Sequence, residues 1–449
     1  MTSVRILFIQ LGCSKNRVDG EIMIGAIEKA GHVMVDNEDD ADVIIINTCG
    51  FIEDAKKEAI DEIVKAISYE DKKVIVTGCL AQRYKDEVME NFPEIYGVVG
   101  VFDIDKIVDT LSGAIKGEKV TYFSSQELLN ADLNNRTLTT PFYYSYLKIA
   151  DGCSNYCSYC TIPKIRGKYT SRKIEELVEE AKLLANSGVS ELIIIAQDTS
   201  RYGLDIYKEK MLVPLLRELE KIEGFEWIRL HYLYPEAVTS ELIDYIRDSK
   251  KVLPYFDIPL QHINDRILKL MNRRTAKADI IRLINEIKEK IPNAVIRTSL
   301  ISGFPTETEK EHKELLSFVK KGYIDRLGVF AFSSEEGTKA SKIKGKIPKL
   351  TKNTRKDEIM EAANKVSLSK NKKKKNSSYA VLIEGYDTVN NVWFGRTYMD
   401  SPEIDGTVYF TSNANHEFGD YVNVKITACD AYDFVGAAQN MSVGAAHTR

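Results

Sequence analysis

Cys153, Cys157 and Cys160 stand in one short run, Asp151-Gly-Cys-Ser-Asn-Tyr-Cys-Ser-Tyr-Cys-Thr-Ile-Pro163, with the spacing C-x3-C-x2-C. Three thiolates so spaced can reach three corners of a small iron–sulfur cube. A four-iron cluster is ordinarily held by four protein thiolates. Three leave one iron open, and an open coordination position is where a metal site acts on a bound molecule. A structural zinc site would want a fourth Cys or His close by, and none of the six histidines lies in or near the run.

Three further cysteines, Cys13, Cys49 and Cys79, are 36 and 30 residues apart. Each follows an apolar, strand-like run closely: Ile6–Gln10, Val43–Asn47 and Val74–Thr77. Helical patterns lie between, at Gly20–Ala30, Glu53–Ile67 and Gln82–Asn91. This alternation predicts a parallel sheet flanked by helices. Ligands of such sheets collect outside the carboxyl ends of the strands, so the three thiols are expected to converge as a second three-thiolate site. The bland alternative is three unrelated core thiols, since free cysteine is commonly buried. Three at equivalent strand ends, each in a turn rich in Gly, Asn or Thr, favour ligands.

A chain of 449 residues has room for two or three full cores, and 44% hydrophobic with 29% charged residues is ordinary globular composition. No apolar run approaches the ~18 residues of a membrane span. The N-terminus reads as a strand rather than a secretion signal, so a cytoplasmic protein is expected. Seven cysteines, an odd number without a signal, favour metal or catalytic use over a disulfide framework. The net charge of −4 gives no global sign of a nucleic-acid binder.

Three units follow: 3–120, then 141–376 after a polar, irregular linker at 121–140, then 379–445. In the middle unit, strand candidates are Tyr144–Ile149, Leu192–Ala196, Trp227–His231, Tyr255–Ile258, Val295–Ser299 and Leu327–Phe332. Helices between them, one with Ile174, Leu177, Val178, Ala181 and Leu184 at helical spacing and stopped by Gly188, predict an open, partial parallel barrel of six β/α units. Chemistry in such barrels sits at the carboxyl ends of the strands, where Cys153 falls. The run Lys370-Asn-Lys-Lys-Lys-Lys375 reads as a solvated helix end or linker. The last unit has short alternating strands with turns at Glu384-Gly385, Asp405-Gly406 and Phe418-Gly419, a small antiparallel β-barrel of five strands.

The central motif, with aromatic Tyr159 before its last cysteine, resembles the radical S-adenosylmethionine (SAM) superfamily. The chain as a whole is similar to its methylthiotransferase family. The matching pieces are Leu11-Gly-Cys-Ser-Lys-Asn16, Asn47-Thr-Cys-Gly-Phe51, Thr77-Gly-Cys79, the central motif continuing to Arg166-Gly167, Pro259-Leu-Gln-His262, Met271-Asn-Arg-Arg274 and Ser302-Gly-Phe-Pro305. The resemblance implies a flavodoxin-like N-terminal domain, a partial (β/α)6 radical-SAM barrel and a C-terminal TRAM barrel. It implies two 4Fe–4S clusters, one on Cys153, Cys157 and Cys160 and an auxiliary one on Cys13, Cys49 and Cys79 that carries the inserted sulfur. It also implies SAM as methyl donor and radical source, and an electron donor such as flavodoxin or ferredoxin. The hard chemistry would belong to the cofactors, with the protein orienting and shielding them.

One branch of that family modifies an adenosine in tRNA; the RimO branch modifies the β-carbon of an aspartate in ribosomal protein uS12. Ala196-Gln-Asp-Thr-Ser-Arg-Tyr-Gly203 is similar to the RimO branch, as is Arg396-Thr-Tyr-Met-Asp-Ser-Pro-Glu-Ile-Asp-Gly406. From Tyr379 to Arg449 three basic residues face nine acidic ones, a net of −6. RNA binding draws on Lys and Arg at phosphates, whereas an acidic barrel attracts a basic protein. The expected activity is therefore methylthiolation of uS12, free or on the 30S subunit, by a monomer. The alternatives are the tRNA methylthiotransferase and a non-catalytic iron–sulfur carrier or scaffold. Gln197 and Asp198, at the end of the second barrel strand, are candidate SAM contacts, with Tyr159. So are Ser299 and Gly303 near the fifth strand, where a Gly turn lets backbone approach a ligand. His231 and His262 read as structural or as hydrogen-bonders rather than bases, and Cys429 as an incidental thiol.

Overall fold

The computed structural model describes residues 3–124 and 135–439. Its N-terminal unit runs β1 (Arg5–Gln10), α1 (Ser14–Lys29), β2 (Val33–Val35), β3 (Val43–Thr48), α2 (Glu53–Ile67), β4 (Lys73–Gly78), α3 (Cys79–Tyr84), α4 (Asp86–Asn91), β5 (Gly97–Val99), α5 (Ile107–Ile115) and β6 (Val120–Tyr122). The strands form one parallel sheet in the order β2-β1-β3-β4-β5-β6. Helices cover both faces, so β3 is a continuous apolar run buried along its whole length. Two helices differ from the sequence expectation. α1 starts at Ser14 rather than Gly20, because Lys15, Asn16 and Asp19 on its first turns are buried against other polar groups and hide the apolar period. The helix expected over Gln82–Asn91 is two pieces broken at Lys85, whose φ of 44° cannot continue a right-handed helix.

The central unit begins with β7 (Tyr144–Lys148) and a two-residue antiparallel clip, β8 (Ala150–Asp151) with β9 (Thr170–Ser171), whose loop holds the central cysteines and the short α6 (Ile162–Ile165). It continues with α7 (Ile174–Asn186), β10 (Glu191–Ile195), α8 (Leu212–Glu220), β11 (Trp227–Leu230), α9 (Ser240–Asp248), β12 (Val252–Asp257), α10 (Asp265–Leu270), α11 (Lys277–Lys290), β13 (Val295–Ser302), α12 (Glu309–Lys320), β14 (Arg326–Ala331) and α13 (Lys349–Lys373). The six long strands lie side by side in chain order, all parallel, with no closure between β7 and β14. Outward side chains such as Leu192, Ile194, Leu230 and Phe256 pack under the helices. Inward ones such as Tyr146, Ile193, Tyr255 and Val295 meet the third unit. Part of the expected linker, 125–134, lies outside the described residues. The part that follows is strapped down: Thr139 N–H donates to Glu21 at 2.9 Å, and Arg136 pairs with Glu21 at 3.1 Å.

The third unit is a closed barrel in the order β15-β16-β17-β19-β18, from β15 (Ser378–Asp387), β16 (Val392–Arg396), β17 (Val408–Thr411), β18 (Tyr421–Cys429) and β19 (Phe434–Ala438). The turn expected at Glu384-Gly385 is instead a bulge inside β15, where a Cβ on Gly385 would meet the Phe394 ring at 2.3 Å. The loop between β16 and β17 enters the open side of the central barrel from below. Met399 is fully buried there, Tyr255 donates to Asp405 at 2.6 Å, Arg229 donates to the Tyr398 carbonyl at 2.8 Å and Arg326 pairs with Asp400 at 2.6 Å. Arg396 and Arg229 share the buried Glu191, at 2.6 and 2.7 Å. This modifies the acidic-barrel expectation. Glu384, Asp400 and Asp405 turn inward onto cations, and Glu403 pairs with Arg17 at 3.1 Å. Asp387, Glu417, Asp420, Asp430 and Asp433 remain outside these pairs, so the described surface stays acidic with fewer charges than the count implies.

Candidate functional site

The loop clipped by β8 and β9 is held by backbone geometry. Gly152 has φ of 70°, and a Cβ there would meet the Lys168 carbonyl oxygen at 2.1 Å, so only glycine fits. Cys153 N–H donates to Gly167 O at 3.1 Å, and Cys160 N–H to Cys157 O at 3.0 Å. Ser158 N–H reaches Met271 O at 3.0 Å, and Asn272 caps the Tyr156 carbonyl at 2.8 Å. Cys153 and Cys157 are buried and Cys160 nearly so. The Cys157 sulfur lies 3.7 Å from the Tyr234 hydroxyl and 3.9 Å from Arg273 Nη1, and Arg273 stacks 4.2 Å over the Tyr234 ring. Burial, then the neighbouring carboxylate and thiol, push the Cys153 thiol up to about 11; burial and Cys157 push Cys160 higher. Burial opposes thiolate charge at Cys153 and Cys160, and a bound metal centre would supply the positive charge that offsets it.

The N-terminal cysteines meet at the carboxyl ends of β1, β3 and β4. Cys13 caps α1 and Cys79 opens α3. The turns are tied together: Asn16 Nδ2 donates to Leu11 O at 2.9 Å, while Asn47 Nδ2 donates to Gln10 Oε1 at 2.9 Å and to Asn16 O at 2.8 Å. Gly12, at φ 88°, sits so close that a Cβ would reach Cys49 Cβ at 2.9 Å. Burial and the charges of its neighbours raise Cys49, and burial pushes Cys79 up to about 12 against the pull of Arg166. Desolvation also acts upward on Cys13, but Lys15 and Arg166 outweigh it and leave that thiol below its usual value. This set too has the donor chemistry of a metal centre. Among the described residues, no three His, Cys, Asp or Glu side chains close around a point fit for a single ion.

Arg166 joins the two sets. Its Nε donates to Cys79 Sγ at 3.3 Å, Nη1 to Asp151 at 2.9 Å, and Nη2 to Asn16 Oδ1 at 3.2 Å and Asp19 at 2.8 Å. Lys148 completes the ring by pairing with Asp19 and with Asp151 at 3.0 Å. Burial opposes ionisation of Asp151, but Arg166 and Lys148 overcome it and hold the carboxyl far below the usual range. Charges buried in this way persist when each is paired.

The candidate SAM contacts ring the upper end of the central barrel. Gln197 Nε2 donates to Asp151 at 2.8 Å, and its Oε1 is buried with no partner. Asp198 accepts from Asn155 of the cysteine loop at 2.7 Å and from Ser200 at 2.6 Å. Tyr159 packs against Phe304, Met271 and Phe332. Ser299 O accepts from Gln261 N–H at 2.8 Å, and Gly303, at φ 72°, donates to Glu307 at 3.0 Å. Thr161 Oγ1, Arg273 Nε and Ser302 Oγ are further buried polar atoms left unpaired, the pattern expected where a polar ligand binds. His231 is structural: its Nε2 lies 3.0 Å from Ser401 Oγ. His262 accepts from Asn264 N–H through Nδ1 at 3.0 Å, and Cys429 stands apart at the end of β18. Sequence reasoning missed Arg166, Asp151, Asp19, Lys148, Tyr234 and Arg273. The signal available was that Asp151, Arg166 and Arg273 lie within the matching stretches; in the structure Tyr156, Tyr232, Gln261, Asn272 and Thr306, beside this end of the barrel, have positive φ.

The chain matches three family descriptions: Uncharacterized protein family UPF0004 over residues 5–100, the Radical SAM superfamily over 147–319 and the TRAM domain over 377–438. It is 47% identical to "Ribosomal protein uS12 methylthiotransferase RimO" of Thermoanaerobacter sp. (strain X514), over 95% of this chain and 98% of that one. The protein of the same name from Clostridium kluyveri is 47% identical over 98% and 100% of the two chains. Among solved structures, the radical S-adenosylmethionine methyltransferase TsrM from Kitasatospora setae, with tryptophan and a SAM analogue bound, aligns with a TM-score of 0.54 at 14% identity over 73% of each chain. That likeness speaks to the fold alone.

Proposed function

Because the chain belongs to the RimO family of ribosomal protein uS12 methylthiotransferases, we propose that it inserts a methylthio group at the β-carbon of an aspartate in uS12. The enzyme is a radical-SAM methylthiotransferase that uses an iron–sulfur cluster and SAM. In our reading it holds two four-iron clusters. Cys153, Cys157 and Cys160 hold the one that binds SAM, and Cys13, Cys49 and Cys79 hold the one that carries sulfur. When bound, the cofactors supply a 5′-deoxyadenosyl radical to take hydrogen from the aspartate, and then the sulfur and methyl group.

The observation that carries this reading is Arg166, which touches a thiol of one set and the carboxylate two residues before the other. A carrier of electrons needs no such close facing of two incomplete ligand sets. The chain's own groups then have distinct tasks. Gln197, Asp198, Ser299, Gly303 and Tyr159 would hold SAM, with the buried, unpaired Gln197 Oε1 and Ser302 Oγ free to bond its polar groups. Arg273 and Tyr234 cover Cys157 and exclude water. Arg166 and Lys148 keep Asp151 ionised, pair with Asp19 and hold the two thiol sets in register. A low-potential flavodoxin or ferredoxin donates the electron, and the monomer works in the cytoplasm.

Anaerobic incubation with SAM and reductant should yield 5′-deoxyadenosine. Cys157→Ala should abolish it, while Cys49→Ala should keep SAM cleavage and lose sulfur transfer. In a deletion strain, mass spectrometry should find uS12 without its methylthio group. Unmodified tRNA with normal uS12 would overturn the substrate.

A further inference from the structure

From Lys339 to Lys375 the chain carries fourteen Lys and Arg side chains against three carboxylates, in a protein whose net charge is −4. Seven of the exposed ones form two groups. Lys342, Lys344, Lys346 and Lys349 lie on the loop after β14 and the first turn of α13, beside the carboxyl ends of the barrel strands. Lys372, Lys373 and Lys375 lie at the far end of α13. Among the described residues none of these seven is paired with a carboxylate. Their neighbours are paired: Lys288 and Lys370 each bind Asp325 at 2.8 Å, and Arg355 binds Glu307 at 2.9 Å.

Helix stability accounts for the far group, since cations at a helix C-terminus interact favourably with its dipole. It does not account for the near group, which stands at the N-terminal end, where that dipole repels cations. The first turn of α13 carries no acidic residue. Lys352, beside this group, is pushed below the usual amine value by burial against the pull of Glu53, with Lys349 and Lys346 adding to the fall. Lys373 and Lys374 also line an open cleft of about 480 Å³ with Lys288 and Lys370. The fold therefore holds unpaired positive charge at both ends of a helix of 25 residues, roughly 37 Å apart at ~1.5 Å per residue, while Lys356 and Lys365 between them pair with Asp357 and Glu361.

We propose that the near group, a stripe of four exposed lysines, docks on the RNA backbone of the small ribosomal subunit, so that the chain meets uS12 in the assembled particle. The proposal rests on uS12 as substrate. Charge argues for the particle over the free protein. A basic protein alone would be repelled by the stripe, while the barrel at the other end of α13 is acidic, with Glu417, Asp420 and Asp430 exposed. A ribonucleoprotein offers phosphates to one surface and cationic protein to the other. Phosphate neutralisation of this kind is strongly salt-dependent.

The test compares the full-length enzyme with a variant carrying Lys342→Gln, Lys344→Gln, Lys346→Gln and Lys349→Gln, and with the matching Lys→Arg set. The probes are 30S subunits with unmodified uS12, protein-free 16S rRNA, a synthetic uS12 peptide and anionic vesicles. The Gln variant should bind 30S and rRNA more weakly. Its slope of log K against log salt should be shallower by roughly 3, at ~0.7–0.9 per lost contact. Its modification of 30S should fall with binding, its turnover of the peptide should be unchanged, and the Arg set should behave as wild type. Unchanged 30S and rRNA binding, or equal loss on peptide and particle, would overturn the proposal. Loss of vesicle binding alone would assign the stripe to a lipid surface instead. If the wild type modifies neither particle nor peptide, the substrate reading fails, which is a separate outcome.

Discussion

Arg166 carries more interactions than its place in a loop would predict. A guanidinium offers five donors in a fixed fork, and here they go to a sulfur, an amide oxygen and two carboxylates, with the side chain 2% exposed. Lysine offers a point charge and cannot reproduce the fork. Arg166→Gln should leave Asp19 and Asp151 with Lys148 alone, a loss of about 3–5 kcal/mol for an opened buried pair. Urea unfolding of the metal-free protein reads that loss; a change below ~1 kcal/mol would mean the carboxylates are reached by water. Sequence could not have found this contact, because Arg166 and Asp19 are 147 positions apart and each alone looks like surface charge. The six cysteines, by contrast, were visible from type and spacing.

At the scale of elements, legibility followed length and burial. The strands β3, β4 and the six of the central barrel are apolar runs bounded by polar turns, and sequence located each to within a few residues. β2, β5 and β6 have three residues each, too few for a period to show. The start of α1 was hidden because its polar residues face the thiol site. The loop between β8 and β9 depends on one conformation. Gly152→Ala adds the left-handed penalty, ~1–2 kcal/mol, to a collision with the Lys168 carbonyl. The expected result is loss of iron from the central site and of 5′-deoxyadenosine formation, with iron retained at the N-terminal site. Equal iron at both sites in iron and sulfide analysis would show that the loop tolerates a side chain.

At the scale of the whole molecule, the C-terminal barrel is a structural part of the radical domain. His231 records that union, buried between β11 and Ser401. Burial holds its folded pKa down to about 3, against Asp257, which acts upward. An unfolded histidine titrates near ~6.5. Its contribution to stability is therefore present above that value and lost as pH falls toward 3, by up to ~1.4 kcal/mol per pH unit. His231→Gln should flatten the fall in urea midpoint between ~pH 6.5 and 4.5; parallel curves for the two proteins would show that another group is responsible. The loop from Thr397 to Asp405 that fills the lower barrel has a further consequence, for the time at which the enzyme comes into being. Translation delivers those residues after the whole of the central barrel. Until they emerge, the nascent chain has the six cysteines of the two thiol sets but not the loop that packs the lower barrel beneath them.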